Sequence, residues 1–282
     1  MAAAGAVTLR HRLSGTPLER EHVRLLARRD SRAILPIPWR RFERDRYPAA
    51  ALRLAADFQR DLAVGELLAV DSFGRVAAAL ALAAAPLDLV GATARVPADE
   101  IRHADYNLRM LALLEGCPLA QVRATLSAEE LSVRARAYAG RPTTLAEIDS
   151  WMLEVPLFGE TLACALLFEC GRQASDPVAG ALFRSVVADE IHHSRLGWYY
   201  MAWRSAAWSA RDRERLAERA AVLVRAVPVR AGWGRDAPAG ARRAARALGV
   251  LDTASQRKVI ARALADELVP GLAALGLASA TR

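Results

Sequence analysis

The hexapeptide Ala98-Asp99-Glu100-Ile101-Arg102-His103 (ADEIRH) returns ninety residues later as ADEIHH at 188–193. On an α-helix, residues three apart share a face. Glu100 with His103, and Glu190 with His193, therefore each present a carboxylate beside an imidazole, a combination that suits a first-row metal ion. One such pair is common on exposed helices. Two copies with the same flanking residues are a far more specific pattern, and three of the chain's five histidines fall in these two stretches. Aligning the copies sets His192 opposite Arg102, which cannot ligate, so His193 is the expected ligand and His192 an outward or outer residue.

A second repetition accompanies the first. GELLA at 65–69 and GETLA at 159–163 share Gly-Glu-X-Leu-Ala. Glu66 precedes Glu100 by 34 residues, and Glu160 precedes Glu190 by 30. Short turns lie near the midpoints of those intervals, so two antiparallel hairpins would bring four glutamates and two histidines to one level. A solvated helix face would need polar neighbours three and four residues from Glu66, yet those positions are Leu62, Ala63, Ala69 and Val70. A lone carboxylate buried there would cost several kcal/mol unless paired or bound to a metal. The repeats thus read as the two halves of a dinuclear metal site.

The rest of the chain agrees with a helical frame. Long Ala/Leu/Arg/Glu stretches are only sparsely punctuated by proline and glycine, and no segment alternates cleanly as a strand would. The first helix is expected from about Pro48 to Ala85, a span of ~50 Å, followed by a break at PLDLVG. A second helix should run through the first motif to a stop at Gly116, with Pro97 kinking it or setting its first turn. In the connector, Ser127 with Glu130 forms a capping-box pattern that Gly140 would end. Thr144 with Glu147 repeats the pattern and opens a third helix interrupted near Pro156. Pro177 then starts a fourth helix reaching about Ala210, and two or three helices should follow. The expected architecture is all-α: a four-helix bundle with one long crossover and additional C-terminal helices. It reads as one domain over 1–282, with an arm at 1–47, the core at 48–210 and accessory helices at 211–282.

Composition narrows the function. The net charge is +8, but Lys258 is the only lysine among 39 basic residues, and the arginines are spread along the chain and mixed with acids. No basic stripe with aromatic readers stands out, which argues against nucleic acid. No unbroken apolar run reaches the ~20 residues of a membrane span, and the start lacks the basic-then-apolar order of a signal peptide. Cys117, Cys164 and Cys170 show no C-x-x-C spacing, as in a reduced, cytoplasmic setting.

A Glu on each of two helices plus Glu-x-x-His on each of two others resembles the ferritin-like di-iron carboxylate superfamily over roughly residues 48–210. DEIRH is similar to the Asp-Glu-X-Arg-His signature of its bacterial monooxygenases. The resemblance implies Glu66, Glu100, His103, Glu160, Glu190 and His193 as ligands, with Glu100 and Glu190 bridging two iron ions; manganese satisfies the same ligand types. It also implies that Asp189 and Asp99 hold His103 and His193, respectively, by the ring nitrogen turned away from the metal.

In size and ligand spacing, including the 57 residues from His103 to Glu160, the chain is most similar to the arylamine N-oxygenases. The extra histidine of that branch, one turn before the last Glu, is Val186 here. The threonine that many hydroxylases carry one turn after the third Glu is replaced by Ala163 and Cys164, residues expected in the pocket with Val186. A radical-bearing tyrosine would sit one turn past His103, and Tyr106 is three residues on. The implied activity is an O2-dependent oxidation of a small or carrier-bound substrate, with electrons from a separate ferredoxin or flavin reductase. The alternative is a ferritin-like ferroxidase or manganese protein with no organic substrate. A homodimer is compatible with either.

Overall fold

The computed structural model describes residues 36–119, 121–122, 142, 144–230 and 234–277, with Pro17, Arg20 and Glu21. Among them every regular element is helical. The Ser127/Glu130 pattern, Gly140 and most of the 1–47 arm lie outside the described residues.

Helix α1 (Ala49–Leu82) starts directly after Pro48, whose missing N–H costs nothing at a helix start. It stops where Ala84 turns to a φ of 53° ahead of Pro86. Here the structure differs from the expected break at PLDLVG: Leu87–Thr93 forms helix α2. The proline read as a breaker stands at its N-cap, and Leu89 and Ala92 give it a buried face. Helix α3 (Val96–Glu115) has Pro97 in its first turn and ends on Gly116, whose φ of 71° is readily adopted only by glycine. α3 returns antiparallel along α1: Arg60 meets Glu115 at 3.0 Å, and Asn107 Nδ2 approaches Glu66 Oε1 at 3.4 Å.

The second hairpin begins at the Thr144 capping box. Its helix α4 (Leu145–Met152) passes without interruption through a π-helical segment, Leu153–Gly159, into α5 (Glu160–Gln173). Pro156 lacks an N–H and crowds the preceding turn; the wider π register accommodates it where a break was expected. By length and composition alone, the run Leu145–Gln173 could cross a bilayer. It escapes a search for unbroken apolar runs because Glu147, Asp149, Glu154 and Glu160 interrupt it. In this fold its apolar residues Ile148, Met152, Leu157 and Leu166 are buried in the core.

Asp176 caps α6 (Pro177–Ser205), accepting from the N–H groups of Val178 and Ala179 at 2.8 and 2.9 Å. α6 ends at Ser205 and not near Ala210, because Ser209 and Asp212 cap each other reciprocally and open a new helix, α7 (Ala210–Arg230). Four described helices follow α6 where two or three were expected: α7, α8 (Arg242–Ala247), α9 (Thr253–Ala263) and, after a π segment at Leu264–Leu268, α10 (Val269–Ala274). Gly197 sets the approach of α6 to the first π segment: a Cβ there would lie 2.4 Å from Leu157 N. The two backbones are in contact just before Glu160.

The core is split in two. One apolar cluster holds Ala63, Leu108, Leu166 and Val187; the other holds Phe73, Val96, Phe158 and Leu196. Each of α1, α3 and α6, and the α4–α5 run, contributes to both clusters. On each, the acidic or histidine-bearing positions fall between the two.

Candidate metal centre

That intermediate layer gathers Glu66 from α1, Glu100 and His103 from α3, Glu160 from α5, and Glu190 and His193 from α6. Two groups of potential ligands occur there: Glu66, Glu100, His103 and Glu190, and Glu100, Glu160, Glu190 and His193. In each, one ligand atom per residue lies within 4.8 Å of all the others. Glu100, His103, Glu160, Glu190 and His193 are buried and Glu66 is half-buried.

The imidazoles are turned alike. His103 Nδ1 lies 3.2 Å from Glu100 Oε2 and 3.0 Å from Glu190 Oε1. His193 Nδ1 lies 3.1 Å from Glu100 Oε1 and 3.4 Å from Glu190 Oε2. Each Nε2 points to an aspartate on the opposite helix: His103 to Asp189 Oδ2 at 3.3 Å, and His193 to Asp99 Oδ2 at 3.4 Å. Arg102 Nη2 joins these two aspartates, at 2.5 Å from Asp99 Oδ1 and 2.7 Å from Asp189 Oδ2.

Six ionisable groups at such distances divide into charged and neutral members. Burial, followed by the charges of Glu100 and Glu190, pushes the Glu66 carboxyl well above its usual range; burial with Glu190 and Glu100 does the same to Glu160. Burial also acts to raise Glu190, but the charge of His193 and hydrogen bonds from both imidazoles prevail, and it falls below the ordinary carboxylate value. Glu100 is lowered too, as His193 and both imidazole hydrogen bonds outweigh burial and Glu190. Burial favours neutral imidazoles, yet the surrounding carboxylates hold His103 and His193 well above the usual histidine range. For Asp189, burial is outweighed by His103 and Arg102, which bring it to about 2.

Two residues of this layer carry no signal in the repeated motifs. Asn107, four residues after His103 and so on its face, reaches toward Glu66. Arg102 cannot ligate a metal, and its link to Asp189 crosses between helices and leaves no spacing signal. His192 is buried, in contact with Glu21 from the N-terminal segment. Of the residues expected in a pocket, Val186 is buried in the first apolar cluster and Ala163 is half-buried on α5. Tyr106 packs against Trp39, with ring centroids 6.1 Å apart, and makes no described contact with the acidic layer. Cys164 lines a cavity over α5 and α6. Burial, with Glu190, Glu267 and Glu160 nearby, pushes its thiol up to about 12, so it stays protonated at neutral pH.

No match was found among family models, curated proteins or solved structures.

The grouping of buried carboxylates and imidazoles can hold a metal ion. Asp189→Ala should then weaken metal affinity by ~10- to 100-fold, since it frees the ring that presents Nδ1 of His103. Competition against a chromogenic chelator measures this, and unchanged affinity would remove Asp189 from that role.

Proposed function

We propose that the chain is a ferritin-like, O2-activating oxidoreductase that uses a pair of iron ions to oxidise a small or carrier-bound organic substrate. The observation that carries this reading is sharing: the two ligand groups have Glu100 and Glu190 in common, and each adds one further glutamate and one histidine of its own. Two shared carboxylates between two otherwise separate donor sets are what two bridged cations require. The donor chemistry also fits. Glu190 Oε2 and His193 Nδ1 are buried without a hydrogen-bond partner of good geometry. Glu66 and Glu160 are forced toward neutrality where two dications would let both ionise. Oxygen and imidazole donors suit iron and manganese alike.

When bound, a pair of ferrous ions supplies the electrons that reduce dioxygen. The chain's own residues do the rest. Asp189 and Asp99 fix the tautomers of His103 and His193, so that each Nδ1 lone pair points inward. Arg102 keeps both aspartates charged and at a fixed separation. The apolar clusters on either side exclude water from the layer. External electrons are expected from a separate ferredoxin or flavin reductase in a cytoplasmic setting.

Ligation has a proton cost with a definite sign. Glu66, Glu160, His103 and His193 have raised pKa values. Each proton held at a donor atom must leave before a metal binds there, so affinity should rise with pH until these groups have ionised. Anaerobic titration with ferrous iron should saturate near two ions per chain and release protons, up to one from each of the four groups, as measured in weak buffer. Admitting oxygen to the loaded protein should then consume it. One ion per chain, or two ions with no oxygen uptake, would defeat the proposal.

A further inference from the structure

Outside the acidic layer, one cavity combines features that the proposed oxygen chemistry leaves unused. It measures about 210 Å³ and lies where α5 and α6 run side by side, next to α9 and its π extension. That is smaller than the ~300 Å³ at which drug-sized pockets begin, and right for a single amino-acid-sized molecule. Ala165, Phe168, Val187 and Ile191 supply apolar wall, and Phe168 and Ile191 remain 56% and 36% exposed.

The charged groups at the cavity are opposite in sign. Arg262 and Glu267 both line it; Arg262 acts electrostatically on Glu169, but no described ion pair or hydrogen bond ties it or Glu267 down. Five residues apart on an α-helix, they would point about 140° away from one another. Glu267 lies inside the π segment Leu264–Leu268, whose i→i+5 register advances less than about 100° per residue and so carries Glu267 back toward the side of Arg262, in keeping with both lining the cavity. The local departure from α geometry therefore brings a guanidinium and a carboxylate to one small cavity without pairing them.

A third residue lies within the wall. Thr161 is 2% exposed and lines the cavity, yet its hydroxyl has no hydrogen-bond partner. Buried helical threonines ordinarily donate to the carbonyl four residues back, as Thr93 does to Leu89 O at 2.9 Å. The residue four before Thr161 is Leu157, inside the first π segment, where the backbone has left α register. The hydroxyl oxygen is thereby left unpaired inside the wall, behind the cavity surface, where it is unfavourable but out of a ligand's reach.

We propose that this cavity binds a free α-amino acid of about tyrosine's size. The amino acid's carboxylate would meet Arg262 and its ammonium Glu267; its side chain would lie along Phe168 and Ile191. A guanidinium recognises a carboxylate through paired N–H donors, a carboxylate recognises an ammonium, and the apolar wall between them accepts the hydrocarbon. This site does not depend on the metal reading, although Thr161, Ile191 and Ser194 each follow a residue of the acidic layer in sequence.

Calorimetric titration of the full chain as purified tests this with four probes: L-tyrosine, tyramine, 3-(4-hydroxyphenyl)propionate and L-phenylalanine. L-Tyrosine and L-phenylalanine, which carry both charges and the ring, should bind best. Losing the carboxylate (tyramine) or the ammonium (the propionate) should each weaken binding by about 10- to 100-fold. Arg262→Ala should weaken L-tyrosine and the propionate but not tyramine. Glu267→Ala should weaken L-tyrosine and tyramine but not the propionate. Both side chains are exposed, so neither change threatens the fold. Equal binding of all four probes, absence of binding by any, or indifference to Arg262→Ala and Glu267→Ala would overturn the proposal. The readout is heat of binding, so failure here leaves the oxygen chemistry standing, and an inert metal centre leaves this result intact.

Discussion

Glu100→Ala should leave a folded chain that holds at most one metal ion and consumes oxygen well over ~100-fold more slowly. The comparison that sets this scale is the loss of an outer hydrogen-bond partner, which costs ~10- to 100-fold in affinity or activity; a carboxylate shared by the two proposed ions would be a direct donor to both. Glu100 Oε1 faces His193 Nδ1 and Glu100 Oε2 faces His103 Nδ1, so one side chain addresses both ligand groups. Removing it deprives each group of a donor, whereas Glu66→Ala, which touches only the first group, should spare an ion bound at Glu160 and His193. Metal analysis after gel filtration, circular dichroism and an oxygen electrode together check the outcome. Helical content should persist, because the two apolar clusters on either side of the layer are unaltered. Two tightly bound ions and unimpaired oxygen uptake in the Glu100 variant would show that the carboxylate is not shared.

The difference expected between these two variants depends on a symmetry visible in the sequence. Repetition was the legible part: ADEIRH against ADEIHH and GELLA against GETLA state which residues share a level before any coordinate is known. The helical class was equally open, because α1, α3 and α6 are long, alanine-rich and capped where proline, glycine and the Asp176 side chain dictate. What stayed hidden arises from contacts and from registers without a periodic signature. Arg102 joins Asp99 and Asp189 across two helices, a link that neither helix announces. Pro86 and Pro156 read as breakers, yet one opens a helix and the other rides inside a π segment, since whether a proline ends a helix depends on what the neighbouring backbone can absorb. The placement of Gly197 against Leu157 shows what absorbs it: α6 lies so close that the π segment is held as part of the packing. The same register shift, repeated at Leu264–Leu268, decides which side chains face the small cavity, and no apolar period in the sequence reports it.

Asp149→Ala should be the most destabilising single change in the second apolar cluster, at about 3–5 kcal/mol. Asp149 has no solvent exposure and sits one turn before the π segment. Its Oδ1 accepts from Tyr200 Oη at 2.6 Å and Arg204 Nε at 2.8 Å; its Oδ2 accepts from Arg204 Nη2 at 2.9 Å and Trp208 Nε1 at 3.0 Å. Four donors from the end of α6 and the following turn are thus satisfied by one carboxylate on α4. Alanine would strand a guanidinium that is only 11% exposed, together with a buried phenol and indole. Against a total stability of ~5–15 kcal/mol, that loss should lower the melting temperature by about 10 °C or more. The cost comes from leaving a charge unpaired and not from the worth of the pair itself. Asp149→Leu combined with Arg204→Met should therefore recover a large part of it, because replacing both partners removes the stranded cation. Thermal melts of the single and double variants decide the matter. If the double variant were as unstable as the single, the network would be contributing through Tyr200 and Trp208 geometry and not through charge. Metal binding at low temperature should survive in both, since Asp149 acts at the end of the bundle and none of its four donors reaches the acidic layer.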